Sequence, residues 1–269
     1  HPMSASRCSP DKAMAQRDPS QKLRYHRIVV KAGTRVLTNG SGARGLDRAV
    51  ITDLVRQMCW LREQGAEVLL VTSGAIAAGR EVLDQRSTGQ VAESSGPDRD
   101  IPSRQVFAAV GQSRLMHTYQ ELFDSLGHQV AQILLTIDDL SGRQSYLNVG
   151  NTLSGLLDRG IIPILNENDV VAVDEIGEVF GDNDRLSALV ANLVDADLLV
   201  ILTDIEGLYS ADPNLDPTAK LIPQVDRVDE EVEAVADKQL NPWARGGMPT
   251  KIDAARLVTS SGMAMVMCH

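Results

Sequence analysis

Lysine is a poor residue for the inside of a strand, yet Lys31 closes the apolar run Ile28-Val29-Val30 and is followed by Gly33 and Thr34. A lysine at the carboxyl end of a buried strand, beside a glycine turn, is a common way to meet a phosphate. The plain alternative is a surface lysine with its stem laid along apolar surface. A second lysine, Lys251, sits in "GGMPTKIDAA", where Gly246 and Gly247 form a flexible turn ahead of a helix. A cation in the first turns of a helix opposes the dipole by a few tenths of a kcal/mol, and an anionic ligand would compensate. Between the two lysines in sequence, Asp182, Asn183 and Asp184 precede a helix whose Leu186, Leu189, Val190 and Leu193 follow the i, i+3, i+4, i+7 pattern. One such residue is enough for an N-cap, so three in a row point to a further task.

Other clusters carry the same kind of chemistry. In "VTSGAIAAG", Ser73 and Gly74 stand where an apolar strand meets a helix N-terminus. There, backbone N–H groups and the dipole favour an anion, and a glycine admits a ligand close to the backbone. "NENDVVAV" crowds Asn166, Glu167, Asn168 and Asp169 after a strand, a set able to hold an ammonium group or a metal, or to be simply a polar loop. Thr203 and Asp204 end another strand and could line a nucleotide or serve the turn. The pattern G-x-x-x-x-G-K-[ST] does not occur, which argues against a P-loop kinase.

The elements that must position these residues alternate. Strands are predicted at Arg27–Lys31, Ala66–Thr72, His128–Thr136, Ile161–Leu165, Asp197–Thr203 and Met263–Cys268, the last read as buried. Helices are predicted over Leu46–Gln64, after Ser73, over Gln105–Leu126 and Arg143–Arg159, after Asp184, in the acidic stretch "DEEVEAVADKQ", and over Pro249–Ser260. Residues 84–103 read as a long loop, of the kind that is usually functional or disordered. "VVAVDEIGEVF" reads as a hairpin turning near Ile176 and Gly177. This is an α/β chain with a mostly parallel sheet covered by helices on both faces. In such sheets ligands bind beyond the carboxyl ends of the strands, and that is where the polar clusters fall.

Composition sets the outer bounds. The chain has 269 residues, 43% of them hydrophobic, and a formal net charge of −10. An acidic balance argues against a broad nucleic-acid or anionic-membrane surface, so no nucleic acid and no membrane partner is expected. Cys8, Cys59 and Cys268 have neither metal spacing nor a disulfide framework, which indicates a reducing, cytoplasmic setting. No apolar run reaches membrane-spanning length. Residues 1–25 are polar and unpatterned, and are expected to be a disordered extension ahead of a domain over 26–269.

Taken in order, "VVKAGTRVLT", "VTSGAIAAGR", "AAVGQSRLM", "NENDVVAV", "GDNDRLSAL", "LLVILTDIEGLYSADP" and "GGMPTKIDAA" resemble the glutamate 5-kinases of the amino-acid kinase superfamily. Aspartokinases differ at the first motif, with a Gly-Gly pair after the lysine, and uridylate kinases have their own glycine patterns. The resemblance implies a three-layer αβα sandwich. It also implies phosphoryl transfer from ATP to the γ-carboxylate of glutamate, the first step of proline synthesis. Carried over residue by residue, Lys31 and Lys251 neutralise charge on the transferring group and Asp184 orients both. Ser73, Asp169, Asn183 and Asn166 contact glutamate. Gly33, Thr34, Gly74, Thr203, Asp204, Gly246, Gly247, Met248 and Thr250 line the phosphate and nucleotide side with Lys251. Mg²⁺ is expected to travel with ATP, with no protein metal cage. Proline is expected as feedback inhibitor, glutamyl phosphate reductase as pathway partner, and a dimer or tetramer as the assembly. Many bacterial relatives add an RNA-binding-like PUA domain, which is not seen here, and the kinase domain is expected to be truncated at its C-terminus. Arg35 stands where many relatives carry a small residue, and either touches phosphate or points away. Two other readings stay open. One is a kinase of the same superfamily acting on another carboxylate or carbamate. The other is a non-catalytic amino-acid-binding regulatory module, which would not need both lysines and Asp184.

Overall fold

Strand β1 (Arg27–Ala32) shows how the protein is layered. Its residues alternate between two hydrophobic cores: Ile28, Val30 and Ala32 join one, and Val29 joins the other. That alternation is the period of two of any strand, here with both faces covered. The structure, a computed structural model, describes residues 23–38, 45–86, 101–171, 183–213, 215–237 and 247–269.

β1 lies at the centre of a six-stranded sheet. On one side come β2 (Glu67–Thr72), β4 (Ile162–Glu167) and the edge strand β3 (Val130–Leu135); on the other come β5 (Leu198–Leu202) and the second edge strand β6 (Ala264–Cys268). All five pairings are parallel. Parallel neighbours need crossovers, which helices supply. They are α1 (Thr34–Leu37), α2 (Arg48–Glu63), α3 (Ala75–Arg86), α4 (Ile101–Ser125), α5 (Ile137–Ser141), α6 (Arg143–Leu157), α7 (Asn183–Leu193), α8 (Glu230–Asp237) and α9 (Met248–Thr259). Ile51, Val55 and Met58 of α2 and Leu115, Tyr119 and Phe123 of α4 bury against one face of the sheet. Leu153 and Leu157 of α6, Leu186 and Val190 of α7, and Val258 of α9 bury against the other. At roughly 1.5–3 kcal/mol for each large apolar side chain removed from water, these two layers hold the strand ends in place.

Two glycines fix a contact that matters for the site. Helices α3 and α4 touch backbone to backbone. A Cβ on Gly111 would lie 1.8 Å from the Ala75 carbonyl oxygen, and one on Gly79 would lie 1.9 Å from that of Phe107. No side chain fits at either position.

The strands and most helices fall where the sequence predicts them, with four differences. Helix α4 begins at Ile101, four residues earlier than read, because Pro102 suits a first helical turn, where its missing N–H costs nothing. The short helices α1 and α5 were not anticipated, being too brief to show a period. Strand β6 is not a buried strand: it is an edge strand with Val266 45% exposed. Finally, the Ser73 N–H is not free for an anion, since it donates to the Ala32 carbonyl at 3.0 Å. The predicted hairpin beyond Val171, the loop core at 87–100, and residues 1–22 lie outside the described residues.

Candidate active site

Strand alternation sends Lys31 to the same face as Val29, the face on which α7 packs. Asp184 lies in the first turn of α7 and is fully buried. The Lys31 ammonium meets its Oδ1 at 2.6 Å, and Lys31 is itself only 4% exposed. On the other side, Lys251 Nζ stands 3.1 Å from Asp184 Oδ2. The Thr250 hydroxyl is 3.0 Å from the same oxygen. One carboxylate therefore bridges two cations that are 220 residues apart in the chain by their numbers, 31 and 251. The Lys251 charge at a helix start is offset by the protein's own aspartate, so that feature alone did not require a ligand. A Cβ on Gly33 would come within 3.3 Å of Lys31 Nζ, so the glycine leaves room for the ammonium to fold back over the turn.

Both lysines open onto a cavity of about 380 Å³ beyond the carboxyl ends of β1, β2, β4 and β5. Its wall includes Gly33, Thr34, Ser73, Gly74, Asn166 and Asp169. Asn183, Thr203, Asp204 and Gly247 complete the predicted set on that wall. Asp184, Met248 and Thr250 are described but are not on the wall; Asp184 and Thr250 stand behind Lys251, and Met248 is buried in a small hydrophobic cluster. Gly246 and Asp182 lie outside the described residues. Gly74 has φ +99°, a backbone state that favours glycine, and a Cβ there would meet Leu46 Cδ2 at 3.0 Å.

Away from the lysines, the wall changes character. Asn183 Nδ2 donates to the Thr72 carbonyl at 2.6 Å and reaches Ser73 Oγ at 2.8 Å and Asn166 Oδ1 at 3.0 Å. Asn166 Nδ2 donates to Gln112 Oε1 at 2.8 Å. Thr72 Oγ1 lies 2.8 Å from the Tyr119 hydroxyl, whose pKa burial pushes well above the ordinary phenol range. These are neutral hydrogen bonds, buried or partly so, in contrast to the ionic triad a few residues away.

The whole of 26–269 matches the family model described as Amino acid kinase family. The chain belongs to that family. Among its relatives it is 52% identical over 244 residues to a glutamate 5-kinase of Dehalococcoides mccartyi (strain ATCC BAA-2266 / KCTC 15142 / 195), covering 90% of this chain and 62% of the relative. It is 53% identical over 243 residues to a glutamate 5-kinase of Herpetosiphon aurantiacus, with the same coverage. The chain thus spans about three fifths of the length of the curated relatives it matches. Among solved structures, a carbamate kinase from Giardia lamblia bound to AMP-PNP superposes with a TM-score of 0.61 at 14% identity, over 90% of this chain and 92% of that one. An aspartate kinase from Synechocystis superposes at 0.55 with 17% identity, over 90% and 38%. These structures carry the amino acid kinase fold, an α/β sandwich around a parallel sheet, and this chain shares it.

Several wall residues of this family member were not foreseen. Ile76, Arg80 and Arg104 line the cavity, beside Glu167 of the cluster already singled out after β4. The Arg80 guanidinium lies 5.6 Å from the Phe107 ring centroid. The spacing of Ile76 and Arg80, four apart on α3 and both on the wall, was readable as one helix face. Of the two courses left open for Arg35, it does not point away: it lines the cavity, with its guanidinium 2.8 Å from Asp204 Oδ2. Among the described residues no group of three or more His, Cys, Asp or Glu is placed to hold a metal, and both oxygens of Asp184 face lysines.

Proposed function

We propose that this chain transfers the γ-phosphoryl group of ATP to the side-chain carboxylate of L-glutamate, giving L-glutamyl 5-phosphate for proline synthesis. The observation that carries the reading is the Lys31–Asp184–Lys251 triad, whose two lysines line the cavity while the buried Asp184 holds both from behind. Phosphoryl transfer needs positioning and positive charge where negative charge builds up, and the triad supplies two fixed cations in a largely buried place. A glutamate carboxylate oxygen bonds to the γ-phosphorus as the bond to the β,γ-bridging oxygen breaks, and ADP leaves with the electron pair. The carboxylate is already ionised at neutral pH, so no base has to remove a proton. Lys31 and Lys251 balance the charge on the moving group, and Asp184 keeps the two ammonium groups from repelling each other out of place.

At the other end, Asp169 pairs with the α-ammonium of the amino acid, and Ser73, Asn166 and Asn183 set its orientation. Thr203, Asp204 and the Gly247 turn face the nucleotide. Mg²⁺ bound with ATP would screen the phosphate charge; with the Asp184 oxygens on lysines, phosphate and water oxygens would be left to hold it. One kinase domain over 26–269 does this in the cytoplasm, as a homo-oligomer under proline feedback, and hands its product to a glutamyl phosphate reductase. The names and identities of the relatives support glutamate as the acceptor. The test is ADP release by the purified chain. Release that depends on L-glutamate, with N-acetylglutamate and carbamate inert, is the expected result. Good turnover of N-acetylglutamate would assign the cavity to a different acceptor, and ADP release indifferent to glutamate would end the proposal.

A further inference from the structure

Gln112 sits on α4, off the cavity wall, and neither the motifs nor the chemistry above give it a task. Its Oε1 nevertheless accepts from Asn166 Nδ2 at 2.8 Å. Asn166 is 3% exposed, and its own Oδ1 accepts from the Glu167 N–H at 2.9 Å and from Asn183 Nδ2 at 3.0 Å. The terminal torsion of an asparagine is soft and roughly two-fold, and its two ends are nearly the same size. Hydrogen-bond partners therefore decide which end faces which way. Gln112 occupies the donor end, leaving the acceptor end for Asn183. Remove the Gln112 acceptor and a buried N–H loses its partner, which favours turning or shifting the amide.

The position of Gln112 is itself fixed. Gly111, the residue before it, lies in backbone contact with Ala75 at the start of α3. Tyr119, seven residues on and therefore on the same helix face, holds Thr72. Helix α4 thus grips the wall from behind at two points. We propose that Gln112 is a positioning residue for the amino-acid end of the site, acting through Asn166 on the Asn166–Asn183–Ser73 wall without touching substrate. This rests on the glutamate kinase reading for its kinetic test.

The experiment compares Gln112→Met, which keeps the size and loses the acceptor, with Gln112→Glu, which keeps an acceptor. Glutamate KM, ATP KM and melting temperature are measured for both and for the parent. Gln112→Met should raise glutamate KM about tenfold, as for loss of one net hydrogen bond of the wall, and leave ATP KM within about twofold. Gln112→Glu should recover most of the difference. A lower melting temperature with unchanged glutamate KM would reduce Gln112 to a packing residue, as would equal effects of the two substitutions. If the parent shows no glutamate-dependent ADP release, the substrate reading falls, and Gln112 is then judged by crystal structures of the parent and Gln112→Met. An Asn166–Asn183 separation stretched beyond hydrogen-bonding distance upholds the positioning role, and an unmoved pair overturns it.

Discussion

The two ends of the cavity solve different problems with different bonds. Around Asp184 the contacts are ionic, and around Asn183 they are amide to carbonyl, hydroxyl or amide. Yet Asn183 and Asp184 are neighbours on the first turn of α7. A buried carboxylate is costly unless its charge is matched, and here two ammonium groups match it with one net positive charge to spare. That surplus suits a place where negative charge has to be stabilised during a reaction. Neutral hydrogen bonds carry no such surplus, but they have direction, which suits recognition of a shape. One helix start thus carries both an ionic and a neutral set of contacts, because adjacent side chains leave it in different directions.

Breaking the ionic end should have the larger effect. Lys251→Ala should lower kcat by roughly a hundredfold or more with glutamate KM little changed, the signature of a contact made chiefly in the transition state. Steady-state kinetics on both substrates decides it, and a near-normal kcat would leave Lys31 to act alone. At the recognition end the expected response is in KM. Asp169→Asn keeps the shape and removes the charge, and loss of one charge-assisted contact of roughly 2–3 kcal/mol should raise glutamate KM about 30- to 150-fold. Isothermal titration should find ATP affinity unmoved. If kcat falls and KM does not, the division between the two ends is wrong.

The smallest effect belongs to the support behind the wall. Tyr119→Phe removes a buried hydroxyl that bonds Thr72, and should cost about 1 kcal/mol of stability in urea unfolding with kcat preserved. The Tyr119 pKa is raised in the folded protein because burial disfavours the phenolate. Its contribution is therefore fully present below the ordinary phenol pKa of about 10 and is lost as pH climbs above it. Between about pH 9 and 11 the parent should lose more stability than Tyr119→Phe. Parallel curves would show that this tyrosine has no part in alkaline unfolding.

Local rules made much of this protein readable from its residues alone. The apolar, β-branched run Ile28-Val29-Val30 ending on Lys31, period 3.6 after Asp184, and glycines where strands turn into helices gave the α/β alternation and put the polar clusters at strand ends. The lysines, Asp184, Ser73, Asn183 and Asp169 were all singled out that way or by the ordered motifs, and folding gathers them at one cavity. What local rules cannot give is which strands become neighbours. The order β3-β4-β2-β1-β5-β6 puts β1 between β2 and β5, and only that order brings Lys31, Asn183 and Thr203 to one cavity. Partner choice was equally hidden. Arg35 meets Asp204 across most of the chain, and Gln112 meets Asn166 across 54 residues of it. Each of those contacts depends on how two separate elements pack, and packing is decided by buried surface summed over the whole molecule, where no short stretch of sequence holds a vote.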